Sequence, residues 1–325
     1  MSATLTLIAS LFVFPADAAD KASLEALAAA SGRPRECQTR GKKRSKRPSV
    51  WQRAREPELV PYCDLVAKAH ILLGSESRAD AELALEAAVK AGTAWPGHAG
   101  SLLVEGRALL LLGKPKDALE RFERAKQIDK LSVEEPRTMR AHARAFIESG
   151  DVASGAALYR VLVPRASLLP DRLRASVLLE AAYASMTEAG KQPGKLSLVE
   201  ALAFAGEARA LDHASLGPDV LLALALVHDR AGEQEQAQAL LREAKGLVVS
   251  SPSNKLLTES LVAEKADTVA LSALGLELDS PAEAQKLWAS YQASASVEPF
   301  KRAAAARAAA LSGSKSGGAK PKKGK

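Results

Sequence analysis

The apolar and polar positions between Ala99 and Lys130 follow a pattern that returns elsewhere in the chain. Counted from Ala99, large apolar residues occupy the fourth, eleventh and twenty-fourth places, and small ones occupy the eighth, twentieth and twenty-seventh. This spacing predicts two helices that pack closely where the small residues lie. The segment "GKPKDA" between them predicts a turn, because Gly113 suits a helix end with positive φ and Pro115 suits a helix start. The residues concerned are Leu102, Leu109 and Phe122 (large) and Gly106, Ala118 and Ala125 (small).

The same spacing of large and small residues recurs on both sides of this unit. Further units begin at Tyr62 and at Pro136, each 37 residues from Ala99, and another clean unit runs from Pro218 to Leu247. A looser unit precedes Pro218, and the insertion "KQPGKLS" delays its second helix. The chain is therefore predicted to be an array of repeated helix pairs.

This pattern resembles that of the tetratricopeptide repeat (TPR) family over residues 62–247. The resemblance implies an all-α fold, a right-handed α-solenoid of helix-turn-helix repeats. It also implies that the first helix of each unit lines a concave inner wall with its second, fifth, ninth and twelfth places. A Sel1-like or generic α-solenoid remains open, because the unit spacing exceeds the usual length of the family's repeat.

The segments around the array have different compositions. Residues 1–18 are predicted to be a signal peptide, and residues 19–61 a helix followed by a basic loop. Residues 248–311 predict a degenerate repeat or capping helices, including a final helix in "VEPFKRAAAARAAAL". The Ser-, Gly- and Lys-rich tail at residues 312–325 is predicted to be disordered.

The predicted inner wall carries both arginines and leucines. Arg140 and Arg144 lie four residues apart on one helix face, and the neighbouring unit adds Arg107 to the same wall. Guanidinium groups bind carboxylates in pairs of hydrogen bonds, so this arrangement suits an acidic segment or a C-terminal carboxylate of a partner. An alternative is that these arginines pair with acids of the same chain, such as Glu105 or Glu148. The candidate peptide-binding residues are Leu103, Arg107, Leu110, Arg137, Arg140, Arg144, Leu222 and Leu226.

The formal net charge of +7 is concentrated in two segments. Residues 33–55 carry ten Lys or Arg and one acid, and the tail carries five Lys and no acid. We expect these segments to contact an anionic surface, or to remain solvated, rather than to bind nucleic acid, since Trp51 offers no series of stacking aromatics. The candidate contact residues are Lys42, Lys43, Arg44, Lys46 and Arg47.

The first residues and the two cysteines indicate an oxidising compartment. A short apolar run is followed by Ala16-Asp17-Ala18, a cleavage pattern of signal peptides, although no basic residue precedes the run. Cys37 and Cys63 are the only cysteines, and an even count in an exported protein predicts a disulfide that closes a loop around the basic run. We therefore predict a periplasmic or secreted protein with no transmembrane segment after cleavage.

The sequence offers no pattern of residues typical of catalysis. None of the five histidines lies in a metal-binding motif, and no nucleophile elbow, phosphate loop or dinucleotide-binding turn is present. The prediction is a non-catalytic adaptor without cofactor or metal, which binds a protein or peptide on its inner wall. The alternatives are a cytoplasmic or nuclear adaptor that uses its basic segments on nucleic acid, and an enzyme with an embedded repeat region.

Overall fold

The computed structural model describes residues 37, 50–75, 77–191, 197–211, 213, 215–250 and 262–313. Over these residues the regular structure is helical. The signal segment, the basic contact residues 42–47 and the tail from residue 314 lie outside them. The helices are α1 (Val50–Leu72), α2 (Arg78–Ala94), α3 (Ala99–Leu111), α4 (Pro115–Ile128), α5 (Pro136–Glu148), α6 (Val152–Leu162), α7 (Asp171–Lys191), α8 (Ser197–Ala210), α9 (Gly217–Arg230), α10 (Gln234–Ser250), α11 (Ala266–Leu276), α12 (Pro281–Ser294) and α13 (Glu298–Gly313).

Successive helices pack as pairs, and the pairs pack on one another in chain order. The pairs are α1 with α2, α3 with α4, α5 with α6, α7 with α8, α9 with α10, and α11 with α12. Each pair buries its apolar residues against the next, so the core is a row of adjoining clusters instead of one central cluster. The predicted all-α solenoid is confirmed.

The turns inside three pairs share one conformation. Gly113, Gly150 and Gly232 have φ values of 75°, 98° and 85°, a left-handed region that glycine enters at low cost. After each glycine, the next N–H donates to a carbonyl five residues before it, as Lys114 does to Leu109 at 2.9 Å. The positive φ predicted for Gly113 is confirmed.

Two glycines lie where the helices of a pair approach most closely. A Cβ atom added to Gly106 would lie 2.7 Å from a ring carbon of Phe122 on the partner helix. A Cβ atom added to Gly155 would lie 2.5 Å from Cγ1 of Ile147 and 3.0 Å from the Ala143 carbonyl oxygen. These are the eighth and twentieth places of their units, where the sequence pattern requires small residues.

Gly155→Ala should therefore lower the free energy of unfolding, by about 1–2 kcal/mol, since the overpacking cost exceeds alanine's gain in helix propensity. Gly206→Ala is the matched control, because Gly206 lies on α8 with no atom within 4 Å of an added Cβ. The control should raise the stability by up to about 1 kcal/mol. Urea unfolding of both variants measures this, and equal shifts would show that the α5–α6 contact is not tight.

The predicted disulfide is present between Cys37 and Cys63, whose Cα atoms lie 5.7 Å apart. Both cysteines are buried in one cluster with Tyr62 and Val66 of α1 and with alanines of α2. The bond therefore attaches the chain before the basic run to the first helix pair.

Ion pairs and side-chain hydrogen bonds join neighbouring units at a spacing of about one repeat. Five bonded partners lie 34 to 40 residues apart along the sequence, and each of these bonds crosses the boundary between adjacent helix pairs. Their exposure differs widely, and an ion pair's contribution depends strongly on that exposure. The partners are Arg107 with His70, Arg140 with Glu180, Arg160 with Glu200, Arg209 with Glu243, and Arg230 with Asp267.

Candidate functional site

The predicted inner-wall leucines are mostly buried. Leu103 and Leu110 belong to the cluster formed around α3 and α4, while Leu226 is 1% exposed within the C-terminal core. Leu222 is partly buried against that core. Their role in binding a peptide stays a prediction, and Leu226 has almost no exposed surface with which to contact one.

Arg140 and Arg144 are held by acids of the same chain. Arg140 donates two hydrogen bonds to the buried carboxylate of Glu180 on α7, at 2.9 and 2.7 Å. Arg144 donates to Glu148 at 3.0 Å and lies 3.8 Å from Glu180. The pairing with Glu148 was among the sequence expectations, whereas Glu105 pairs with Arg121 instead, at 3.1 Å.

Glu180 is stabilised as a buried carboxylate. Burial alone would raise its pKa, but the charge and hydrogen bonds of Arg140, the charge of Arg144 and the Tyr159 hydroxyl together lower it. Tyr159 donates to Glu180 at 2.9 Å and is itself buried. Beside this network lies a cavity of about 20 Å³, room for about one water molecule. The cavity is lined by Arg144, Ile147, Glu148, Tyr159, Glu180, Val262 and Ala263.

Arg107 contacts a different residue, His70, and the charge of Arg137 acts on the same ring. The ninth place of the first helix is His70 in α1 and Arg107 in α3, and Arg107 Nη1 donates to His70 Nδ1 at 3.1 Å. Burial, together with the charges of Arg107 and Arg137, lowers the pKa of His70 to about 3. At neutral pH this histidine is uncharged. We call His70, Arg107 and Arg137 the cationic cluster.

Arg137 differs from the other wall arginines in its partners. Its Nε is buried and has no hydrogen-bond partner among the described residues. Arg137 begins the inner face of α5 and is partly exposed. The structure thus separates the predicted arginines into two groups, one neutralised by Glu180 and Glu148 and one gathered around a neutral histidine.

The second half of the inner wall is covered by α13. Asp229 occupies the twelfth place of its unit on α9, and its carboxylate accepts a hydrogen bond from Arg307 of α13. Burial raises the pKa of Asp229, while Arg307 and Arg230 act in the opposite direction. The same Arg307 donates to Glu277, at the end of α11, at 2.9 Å. The C-terminal helix therefore occupies surface that the sequence pattern assigned to an open wall.

Another histidine on a first helix, His142, is buried between aromatic rings. Its ring centroid lies 5.1 Å from that of Phe122 and 4.8 Å from that of Phe146. Burial lowers its pKa to about 4. In the described part of the chain, no group of three or more His, Cys, Asp or Glu residues is arranged to bind a metal ion. Within the described ranges, no helix is both long enough and apolar enough to cross a membrane.

Comparison with known proteins identifies the fold. No protein-family model matches the chain, and no curated protein sequence matches it significantly. Among solved structures, the assembly chaperone of RpL4 (Acl4), residues 1–338, aligns with a TM-score of 0.50 and 18% identity, over 78% of this chain and 98% of that one. A thermophilic TPR protein of Thermus thermophilus, TTC0263, aligns with a TM-score of 0.38 and 25% identity, over 66% of this chain and 98% of that one. The first likeness shows a shared helical-repeat fold.

Proposed function

We propose that this chain is a non-catalytic scaffold that binds an acidic segment of a protein or peptide at the cationic cluster. The observation that carries this proposal is the hydrogen bond between Arg107 and the neutral His70 on adjacent first helices, with the charge of Arg137 on the next first helix acting on the same ring. Arg140 and Arg144, which the sequence placed beside them, contribute little net charge because Glu180 and Glu148 bind them.

The chemistry of the cluster favours a carboxylate ligand. Arginine binds carboxylates through two parallel hydrogen bonds, which fixes the orientation of the ligand as well as its charge. The assembly chaperone of RpL4 uses the same fold, which supports a protein as the partner.

A labelled peptide of consecutive glutamates tests this binding site in the full-length chain. The double variant Arg107→Ala/Arg137→Ala should bind this peptide about tenfold or more weakly, because it has lost charge-assisted hydrogen bonds to the peptide carboxylates. Arg172→Ala is the matched control, because Arg172 is exposed at the start of α7 and lies outside the cluster. Fluorescence anisotropy measures the affinity. If the double variant and the control bind equally well, the site is not at the cluster.

We further propose that the protein is periplasmic or secreted, with the basic run held by the disulfide near an anionic surface. The signal-like residues 1–18 and the Cys37–Cys63 bond support this location. Expression in a bacterium with an oxidising periplasm, followed by intact mass measurement after alkylation, tests it. Loss of residues 1–18 with both cysteines unmodified is the expected result. An uncut chain with two alkylated thiols would contradict export.

A further inference from the structure

The inner wall is partly exposed on α5 and covered on α7. With Tyr183 of α7 counted as the eighth place of its unit, the second, fifth, ninth and twelfth places are all partly exposed on α5 but at most 2% exposed on α7. The accessible wall therefore reaches α5 and ends before α7. The residues at these places are Arg137, Arg140, Arg144 and Ile147 on α5, and Val177, Glu180, Ala184 and Thr187 on α7.

A short segment before α11 covers part of the wall of α7. Ala263 packs against the cluster that contains Val177 and Ala184. Val262 and Ala263 also line the cavity beside Glu180, and that cavity has room for about one water molecule. A peptide does not fit between this segment and the wall, so Val262 and Ala263 mark the limit of the accessible surface.

The C-terminal helices complete this cover. A Cβ atom added to Gly190, near the end of α7, would lie against Val297 and 2.7 Å from Phe300, so the start of α13 is in close contact with α7. Trp288 of α12 belongs to the same buried cluster as Leu178 of α7, and α13 packs along α12. The cover of α7 is therefore part of the C-terminal core.

The accessible wall is three first helices wide. α3 packs against both α1 and α5, and the ninth places of α1 and α3, His70 and Arg107, are partly exposed. Packed helices lie about 8–10 Å apart, so with the outer halves of α1 and α5 the wall is roughly 25 Å wide. An extended chain advances about 3.3–3.6 Å per residue and crosses this width in about seven or eight residues. An α-helix, which rises about 1.5 Å per residue, would need about 17 residues.

We propose that the ligand of the cationic cluster is an extended acidic segment of about seven or eight residues, which crosses α1, α3 and α5 and ends at Val262 and Ala263. Its carboxylates bind Arg107 and Arg137. The limit of the wall offers apolar side chains and Arg144, which is already bound by an acid of its own helix, so a longer acidic tract gains no further contact there. This inference rests on the proposed function and adds the size and the position of the ligand.

Peptides of eight and of sixteen consecutive glutamates, titrated into the full-length chain, locate the ligand. The shorter peptide should change the amide chemical shifts of α1, α3, α5 and residues 262–264, and should leave those of α9 unchanged. The longer peptide should change the same set of amides. Shifts in α9 with the longer peptide would overturn this inference and leave the proposed function standing, whereas the absence of any binding would overturn both.

A lysine placed at the limit of the wall gives a second measurement. Val262 is partly exposed, and Val262→Lys should strengthen binding of the eight-residue peptide about two- to fivefold, because it adds a cation where the peptide ends. Val199→Lys is the matched control, since Val199 is 65% exposed on α8, whose residues do not belong to the wall. Equal affinities of the two variants for the peptide would contradict the proposal. If Val262→Lys does not fold, the chemical shifts of the unchanged chain decide.

Discussion

Arg230→Ala should lower the free energy of unfolding of the C-terminal units by about 3–5 kcal/mol, the cost of leaving a buried charge without its partner. Arg230 is 4% exposed, and the carboxylate that it binds on the neighbouring unit, Asp267, is 0% exposed. Arg230 also contacts the Tyr291 hydroxyl at 3.4 Å, so its removal affects α9, α11 and α12 together. Urea unfolding followed by Trp288 fluorescence measures the loss, because Trp288 packs against Tyr291.

Arg209→Ala is the matched control, since it removes an ion pair of the same kind at the surface. Arg209 and Glu243 join neighbouring units at 3.2 Å, but their side chains are 52% and 50% exposed. An exposed pair contributes between about 0 and 1 kcal/mol. The double replacement Arg230→Met/Asp267→Leu should restore most of the stability lost in Arg230→Ala, because no buried charge remains. A loss in Arg230→Ala no larger than that in the control would show that the pair is not buried in solution.

The loss of unfolding free energy caused by Arg230→Ala, called the deficit here, should also depend on pH. Burial raises the pKa of Asp267, and Arg230 opposes this shift, so removing Arg230 raises that pKa further. A carboxyl with a raised pKa in the folded state binds a proton that the unfolded state has released. The deficit is therefore full at neutral pH and shrinks as the pH falls through the raised pKa towards the unfolded value. A deficit that grows on acidification would contradict this assignment.

Replacing Cys37 with serine and Cys63 with alanine should destabilise the first helix pair by roughly 3–4 kcal/mol, the chain-entropy estimate for a closed loop of this length. The effect should be local, because units of a repeat array contact only their neighbours. Hydrogen exchange should increase across α1 and α2 and remain unchanged in α9. Fluorescence of Trp95, whose ring centroid lies 6.4 Å from that of Tyr62, provides an independent measurement.

Reduction of the unchanged chain is the control for this variant. Reduced chain and variant should agree closely in stability, because both lack the covalent loop and keep the cluster nearly unchanged. A uniform rise in exchange over all helices would mean that the array unfolds as one unit. No change in either sample would mean that the bond stabilises the basic segment alone.

Much of the fold could be predicted because its determinants are local. α3 begins at Ala99 and α5 at Pro136, the unit starts that the apolar spacing indicated. Small residues are required at Gly106 and Gly155 because a ring or a backbone atom of the partner helix lies against each. Such contacts recur at the same places of successive repeats. Local periodicity therefore predicts both the helices and their pairing.

The candidate site was less predictable, because its partners come from other units. Glu180 neutralises Arg140 and Arg144 from α7, whose unit has the least regular pattern and an insertion after its first helix. The covering of the second wall by α13 depends on how the stacked pairs curve, and an alanine-rich helix gives no periodic signal of the face that it buries. Arginines on a predicted inner wall therefore indicate a binding surface only once the structure shows whether acids of adjacent units neutralise them.

The bonds between successive units have a mechanical consequence. In an array whose units contact only their neighbours, a force applied to the two ends acts on every boundary between units. Each boundary then extends by an amount that depends on the bonds that cross it. In the first half, a boundary such as that of α1 and α3 is crossed by the hydrogen bond between Arg107 and His70. In the second half, α13 joins α7, α9 and α11 directly. We expect tension to extend the first half while the second moves as a rigid block.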